Sequence, residues 1–279
     1  MFEKIAQSWK FAKLSYLFVF QHKKLMLFPV ISTIATVIVF LSFILPLSQL
    51  FEQIQAGQSS IAELILLFIF YFVNYMVIVF FNTGLIACTL KILNGKEASV
   101  SYGLSFAMKR LPQIIGWVFI SAIVGVILNI IENANEQVGE FISSLLGSAW
   151  TALSYFVLPV IVLRGVGPIK AFQRSTDILK QSWGTALIAN FSLNLLGFVI
   201  LLPIMILFAV LFFIAASNGT LVGMITVATV AVLTLIFYFV FTTTADSIVK
   251  VYLYTYAVDP SVLNENDTAV LENGFREKR

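Results

Sequence analysis

The sequence has 279 residues, of which 59% are hydrophobic and only 11% are charged, with a formal net charge of +3. Soluble domains are about 45–50% apolar and about 25% charged. A soluble protein with 27 Phe residues and a mean hydropathy of +0.97 would lack the polar groups needed to cover its surface. The composition therefore excludes a soluble globular domain and indicates an all-α, polytopic membrane protein. A span needs about 20 residues, so the length allows about six.

The residues that usually carry chemistry are scarce. Cys88 is the only cysteine and His22 the only histidine, which excludes an intrachain disulfide and argues against a transition-metal cage. Nothing in the sequence resembles a nucleophile–base pair, a phosphate-binding loop or a metal signature. We therefore expect no enzymatic activity, no cofactor and no nucleic-acid partner.

The first half of the chain reads as alternating amphipathic and apolar segments. The apolar run after residue 24 is too long for a signal-peptide core, so we expect a retained first span and no cleaved signal peptide. The predicted segments are a basic interfacial helix at about 2–24, span 1 at 25–48, span 2 at about 62–92, a second amphipathic helix at about 97–111 and span 3 at 112–131.

The second half repeats this order. Span 4 is predicted at about 141–163, and a third amphipathic helix at 168–183, starting at Pro168 because proline suits the first helical position. On that helix Ile169 and Phe172 begin an apolar side, and Lys170 and Arg174 begin a cationic side. Such a helix lies along a membrane interface more readily than it crosses one.

The chain ends with two more spans and a polar segment. Span 5 is predicted at about 184–216, with a kink or break at Pro203, and span 6 at about 221–246, continuing as a helix past Lys250. We therefore predict a single six-span domain at 1–258. Residues 259–279 form a polar cytoplasmic tail that we expect to be disordered.

The basic residues are sorted by side. All 17 fall in four segments: 1–24, 91–110, 164–180 and 250 onward. The three loops on the opposite side carry no Lys or Arg. These loops and the adjoining Glu63 contribute five glutamates: Glu52, Glu63, Glu132, Glu136 and Glu140. Basic residues in short loops stay in the cytoplasm. This pattern predicts that both termini are cytoplasmic.

A unit of basic amphipathic helix, span, outer turn and returning span occurs three times, at intervals of about 80–90 residues. Gly116 and Gly184 occupy matching places after the second and third amphipathic helices, next to Trp117 and Trp183. We interpret this as a weak threefold internal repeat with parallel orientation.

Three blocks around the third amphipathic helix carry a family resemblance: Pro159 to Arg164, Gly167 to Ser175 with an Ala171-x-x-Arg174-Ser175 pattern, and Leu179 to Gly184. They resemble the central signature of an uncharacterised family of bacterial six-span membrane proteins. More distantly, they are similar to the membrane domain attached to some glycerophosphodiester phosphodiesterases. Those enzymes carry a soluble catalytic domain that this sequence lacks, and their acidic residue after the proline is replaced here by Arg164. The resemblance implies a bacterial inner-membrane location and a fold, but no catalytic residue.

The basic residues of the amphipathic segments are the first candidate site. Near an anionic leaflet each contributes about 1 kcal/mol, so they can bind lipid headgroups or a cytoplasmic protein; alternatively, they only set the topology. The candidate lipid- or partner-binding residues are Lys10, Lys13, Lys23, Lys24, Lys109, Arg110, Arg164, Lys170, Arg174 and Lys180.

Polar residues inside spans are the second candidate site, because they are costly there unless they serve a purpose. Asn129, Asn190, Asn194 and Asp246 are candidates for a polar path among spans 3, 5 and 6. The alternatives are interhelical hydrogen bonds of about 0.6 kcal/mol for the asparagines and an ion pair with Lys250 for Asp246. Small residues at four-residue spacing, such as Ser121 and Gly125, are explained by close helix packing; a cavity is an alternative that this spacing does not require.

Two functions follow from these candidates. The first is a non-catalytic, membrane-organising or accessory component that engages anionic lipid or an unidentified cytoplasmic protein through its basic inner face. The second is a transporter or lipid-handling protein with the polar path. Substrate, oligomeric state and partner identity do not follow from the sequence.

Overall fold

The computed structural model describes residues 13–55, 61–134 and 138–275, and their side chains except those of 50–55, 62–64, 181–196, 270 and 272–275. Within these residues the fold is all-helical, with no strand. A first helix, α1, covers residues 13–21. The other α-helices are α2 Leu27–Gln55, α3 Ile61–Leu93, α4 Val100–Lys109, α5 Leu111–Ala134, α6 Val138–Leu153, α7 Val157–Arg164, α8 Pro168–Ser217, α9 Leu221–Val258 and α10 Glu265–Phe275. Short 3-10 turns occupy Lys23–Met26 and Pro260–Val262.

Six stretches in the described part of the chain are long and apolar enough to cross a membrane. They are Lys23–Gln49, Ile65–Leu93, Leu111–Ala134, Val138–Arg164, Gly197–Ser217 and Leu221–Val258. Their bounds agree with the predicted spans to within a few residues, apart from the start of span 5 and the end of span 6. The prediction of an all-helical protein with six membrane-spanning segments is confirmed.

The third amphipathic helix and span 5 form one continuous helix, α8, rather than two. Of the two alternatives predicted at Pro203, the break is wrong, because the helix passes through this residue, as transmembrane helices tolerate when neighbouring groups satisfy the freed backbone; the kink stays a prediction. Ala171, Ser175, Ile178 and Leu179 of α8 are buried against the protein, whereas Ile169 is 65% exposed. The predicted apolar side therefore packs only in part: Leu179 is buried and Phe172 contacts Trp150, but Ile169 faces outward.

The C-terminal segment was expected to be disordered, and for residues 260–275 this is wrong. Leu263 and Leu271 are 8% and 1% exposed, so two apolar side chains hold an otherwise polar segment against the bundle. The Tyr252 hydroxyl donates to Asp267 Oδ2 at 3.1 Å. Asn264 caps α10, because its Oδ1 accepts from the Asp267 N–H at 2.7 Å.

The buried core lies at the end of the bundle that carries the basic residues. Buried side chains come from α1, α7, the start of α8 and the last five turns of α9. The backbones of α3 and α4 come close at Gly84 and Gly103, where a Cβ on Gly103 would lie 2.8 Å from Gly84 O. The opposite halves of the spans instead present apolar side chains outward, as lipid-facing helices do.

Candidate functional site

Span 4 is interrupted where it passes through the core. Helix α6 ends at Leu153, α7 begins at Val157, and the backbone between them turns. Pro159 explains the interruption, because its ring would clash with the Tyr155 carbonyl in a continuous helix and it donates no hydrogen bond. Inside a membrane, non-helical backbone is tolerated only where protein or a cavity surrounds it.

Ser175 of α8 satisfies the interrupted backbone. Its hydroxyl donates to the Leu153 carbonyl at 2.7 Å and accepts from the Phe156 N–H at 3.0 Å. Both Ser175 and Phe156 are 0% exposed, so water cannot replace the bond to the Phe156 N–H. The serine of the Ala171-x-x-Arg174-Ser175 pattern therefore joins α8 to both halves of span 4.

An aromatic stack lies beside the interruption. The rings of Trp117 and Trp150 are stacked with centroids 5.4 Å apart, and Phe172 continues the stack 5.1 Å from Trp150. A Cβ on Gly116 would lie 3.0 Å from Pro168 Cγ, so the start of α8 approaches α5 closely. The stack thus fastens spans 3 and 4 to α8.

A cavity of about 480 Å³ opens between α3, α5, the α6–α7 interruption and α9. We call it the central cavity. Its polar lining consists of Tyr71, Tyr75, Asn82, Ser121, Thr151, Ser154, Tyr155, Ser247 and Lys250, and no carboxylate is among its lining residues. Its volume falls within the roughly 300–1,000 Å³ typical of small-molecule sites.

Two hydroxyls beside the central cavity lack a hydrogen-bond partner within the described residues: those of Ser121 and Tyr155. The Lys250 ammonium lies 5.1 Å from the centre of the Tyr155 ring and 2.8 Å from Asp246 Oδ2. Tyr155 is 8% exposed. A buried hydroxyl without a partner is costly, which makes this wall of the cavity suited to a polar ligand group.

Asp246 faces a different, smaller cavity. This cavity measures about 290 Å³ and lies between α1, α8 and α9, with Tyr16, Gly197 and Tyr238 among its lining residues. Asn129 lies on α5, where its carbonyl accepts a hydrogen bond from the Asn133 side chain at 2.8 Å.

The other two predicted path residues, Asn190 and Asn194, lie on α8 outside the residues whose side chains are described. The described side chains thus do not bring the four members of the predicted path together.

The basic residues gather at one end of the bundle, which we call the basic end. Lys23 and Lys24 line the same groove as Lys96. Arg164, Arg174 and Lys180 share another groove with the last residues of α9. The exposed candidates are Lys13, Lys23, Lys24, Lys109, Arg164, Lys170, Arg174 and Lys180.

Arg110 is half-buried against the turn that leads into α8. Its guanidinium lies against Gly165, 5.4 Å from the centre of the Phe106 ring. Lys10 lies outside the described residues. Within the described ranges, the only salt bridge is Asp246–Lys250, so the exposed cations form no salt bridge there.

His22 lines the groove with Lys23, Lys24 and Lys96. Burial lowers the pKa of His22 below its ordinary value, and the Phe18 ring lies 4.6 Å from the imidazole. His22 is therefore favoured in its neutral form and adds no charge to the basic end at neutral pH.

Gly125 corrects one sequence interpretation. Close packing was expected to explain this glycine, but a Cβ here would meet no atom within 4 Å, and Gly125 lines the central cavity. Sequence reasoning missed Tyr155 and Trp150, and it noted Ser175 and Trp117 only as members of the family pattern and the repeat, without a structural role. Only Pro159, inside a predicted span, signalled the interruption that brings them together.

Among the described residues, no group of three or more His, Cys, Asp or Glu side chains is placed to hold a metal ion. The six apolar helices define a multi-pass membrane protein. The chain belongs to a family of unknown function, DUF6159, whose model matches residues 61–262. This agrees with the expected resemblance to an uncharacterised membrane-protein family, whereas the similarity to phosphodiesterase membrane domains and the bacterial origin find no support. The chain matches no curated protein and no solved structure.

Proposed function

We propose that this protein is a non-catalytic, membrane-organising or accessory component of a bacterial inner membrane, with both termini in the cytoplasm, that engages anionic lipid headgroups through its basic end. The observation that carries this proposal is that cations from separate chain segments outnumber carboxylates in shared grooves: Lys23, Lys24 and Lys96 line one groove with Glu97, and Arg164, Arg174 and Lys180 line another with Asp177.

The charge balance supports this proposal. Five of the 14 acidic residues belong to the outer loops and the adjoining Glu63, which leaves nine beside all 17 basic residues. The basic end is therefore strongly cationic, although the whole chain is only +3. Each Lys or Arg near an anionic surface contributes about 1 kcal/mol, an attraction that falls off within a Debye length of about 8–10 Å. The amphipathic segments and the weak threefold repeat fit the same role, since each unit would bring one cationic segment to the inner leaflet.

The test is lipid-dependent stability of the full chain in nanodiscs of phosphatidylglycerol or phosphatidylcholine. We expect a higher unfolding temperature in phosphatidylglycerol, and a difference that shrinks as salt rises. The triple variant Lys23→Gln, Lys24→Gln and Lys96→Gln should lose most of the difference. Its matched control, the same three positions changed to Arg, should retain it. Equal stability in both lipids would contradict lipid engagement and leave a cytoplasmic protein partner or topology setting as the role of the basic end.

A second candidate function is transport or lipid handling along a polar path among spans 3, 5 and 6. Asp246, a predicted member of this path, lines the 290 Å³ cavity between α8 and α9, and this observation favours it. Cysteines placed at Asn190 and Asn194 in a Cys88→Ala background should react with a water-soluble maleimide if the path is hydrated. Complete protection of both positions would refute it.

A further inference from the structure

The lining of the central cavity changes from polar to mostly apolar with distance from the basic end. Four of its polar residues lie at similar distances from the basic end: Ser121 is ten residues from the start of α5, Ser154 ten from the end of α7, Asn82 eleven from the end of α3 and Lys250 eight from the end of α9. At 1.5 Å per helical residue these distances are about 12–17 Å. We call these four residues, with the adjoining Tyr155, the polar layer.

Beyond this layer the lining becomes mostly apolar. Val124, Gly125 and Leu128 continue the wall along α5, and Tyr71 lies 22 residues from the end of α3, about 33 Å from the basic end. Tyr71 is 40% exposed, and Thr151 is exposed as well, so the cavity reaches the lipid-facing surface of the bundle. The cavity thus combines polar groups nearer the basic end with a mostly apolar wall farther from it, a division that suits an amphiphile.

The polar layer contains one charged residue that lines the central cavity, Lys250, whose ammonium is paired with Asp246 at 2.8 Å. Asp246 itself lines the smaller cavity. The Lys250 ammonium lies 5.1 Å from the centre of the Tyr155 ring, and the hydroxyls of Tyr155, a residue only 8% exposed, and of Ser121 have no hydrogen-bond partner within the described residues. A lysine and two hydroxyl donors supply charge-assisted hydrogen bonds to an acidic oxygen.

We propose that the central cavity binds one anionic phospholipid, with its phosphate in the Ser121–Tyr155–Lys250 layer and one acyl chain along Gly125 toward Tyr71. Gly125 leaves room for this chain, because a Cβ there would meet nothing within 4 Å. The site is distinct from the basic end: it lies inside the bundle and uses none of the exposed cations.

The test uses Trp117, which lines the cavity and is only 2% exposed, as a fluorescent reporter. The full chain, with Trp9→Phe and Trp183→Phe, is placed in phosphatidylcholine nanodiscs that contain a minor fraction of lipid with brominated acyl chains. Half-maximal quenching of the remaining tryptophans should need about a tenfold lower fraction of brominated phosphatidylglycerol than of brominated phosphatidylcholine. This factor corresponds to the free energy of one charge-assisted hydrogen bond. Inorganic phosphate should not relieve the quenching, because the acyl chain also contributes.

Gly125→Phe should abolish the preference by filling the channel. Its control Ile127→Phe, on the same helix at a position 50% exposed, should retain it. Should Gly125→Phe fail to fold, the double variant Asp246→Asn and Lys250→Gln decides: it should lose the preference for phosphatidylglycerol while phosphatidylcholine still quenches. Equal quenching by both lipids in the parent chain, or an undiminished preference in the filled or neutralised variants, would overturn the proposal.

The basic-end triple variant Lys23→Gln, Lys24→Gln and Lys96→Gln separates this site from the proposed surface function. We expect it to keep the quenching preference, even where it loses its salt-sensitive stabilisation by phosphatidylglycerol. Loss of the preference in this variant would show that the quenching reports surface charge, and would refute an internal site.

Discussion

Ser175→Ala is the substitution whose effect on stability follows most directly from the structure. It removes one hydroxyl and leaves the Leu153 carbonyl and the Phe156 N–H without the bonds of 2.7 and 3.0 Å that they make now. An unsatisfied buried polar group costs about 1–3 kcal/mol. Phe156 is 0% exposed, whereas Leu153 is only partly buried, so losing both bonds should lower the free energy of unfolding by about 1–4 kcal/mol. An ordinary interhelical hydrogen bond in a membrane protein contributes only about 0.6 kcal/mol. The size of the loss therefore distinguishes a serine that satisfies an interrupted backbone from one that makes an ordinary interhelical hydrogen bond.

The assay is reversible unfolding in bicelles, followed by Trp fluorescence as SDS is added. Thr176→Ala is the matched control, because the neighbouring Thr176 hydroxyl donates only within its own helix, to the Phe172 carbonyl at 3.0 Å. We expect the control to change the free energy by less than about 0.5 kcal/mol. A loss of about 0.6 kcal/mol or less for Ser175→Ala, or equal losses for both variants, would refute the backbone role of Ser175.

Three further predictions follow from single positions. Gly103→Ala should lower the free energy of unfolding by about 1–3 kcal/mol, because its Cβ would lie 2.8 Å from both Cys88 Sγ and Gly84 O. The control Gly125→Ala, whose Cβ would meet no atom within 4 Å, should leave the free energy of unfolding unchanged in the same assay. Equal losses of free energy in the two variants would contradict the close approach of α3 and α4 at Gly103. In the folded protein the pKa of His22 is lowered below its ordinary value of about 6.5, which favours the neutral imidazole. Lowering the pH through and below 6.5 should therefore slightly lower the unfolding temperature. A His22→Gln variant whose unfolding temperature depends on pH in the same way would contradict the assignment. A cysteine at Asn218 in a Cys88→Ala background should react with an impermeant maleimide on intact cells, and one at Lys96 only after permeabilisation; the reverse would overturn the proposed orientation.

The spans were predictable because hydropathy is a local property, and runs of about 20 apolar residues need no knowledge of their neighbours. The ordered C-terminal segment was missed because its buried apolar anchors among the described side chains are only Leu263 and Leu271, and two leucines in a polar stretch give no helical periodicity. The continuity of α8 was missed because the side-chain pattern changes from amphipathic to apolar after Trp183, whereas the backbone hydrogen bonds of a helix do not depend on that pattern.

The candidate site was less accessible to sequence reasoning because its residues meet only in three dimensions. Ser175 lies 19 residues from Phe156 and accepts a hydrogen bond from its backbone N–H. No helical periodicity in the sequence indicates that these two residues are in contact. Gly125 was ambiguous for a physical reason: a glycine that permits close packing and a glycine that borders a cavity have the same spacing in sequence. Only the empty space around its Cα distinguishes the two cases.

The basic end and the central cavity are joined through one turn of α8. Arg174 is exposed in the groove at the basic end, while the next residue, Ser175, holds both sides of the interruption in span 4. The interruption supplies Ser154 and Tyr155 to the cavity wall. The hydrogen bonds of Ser175 therefore connect the groove that contains Arg174 with the wall of the central cavity.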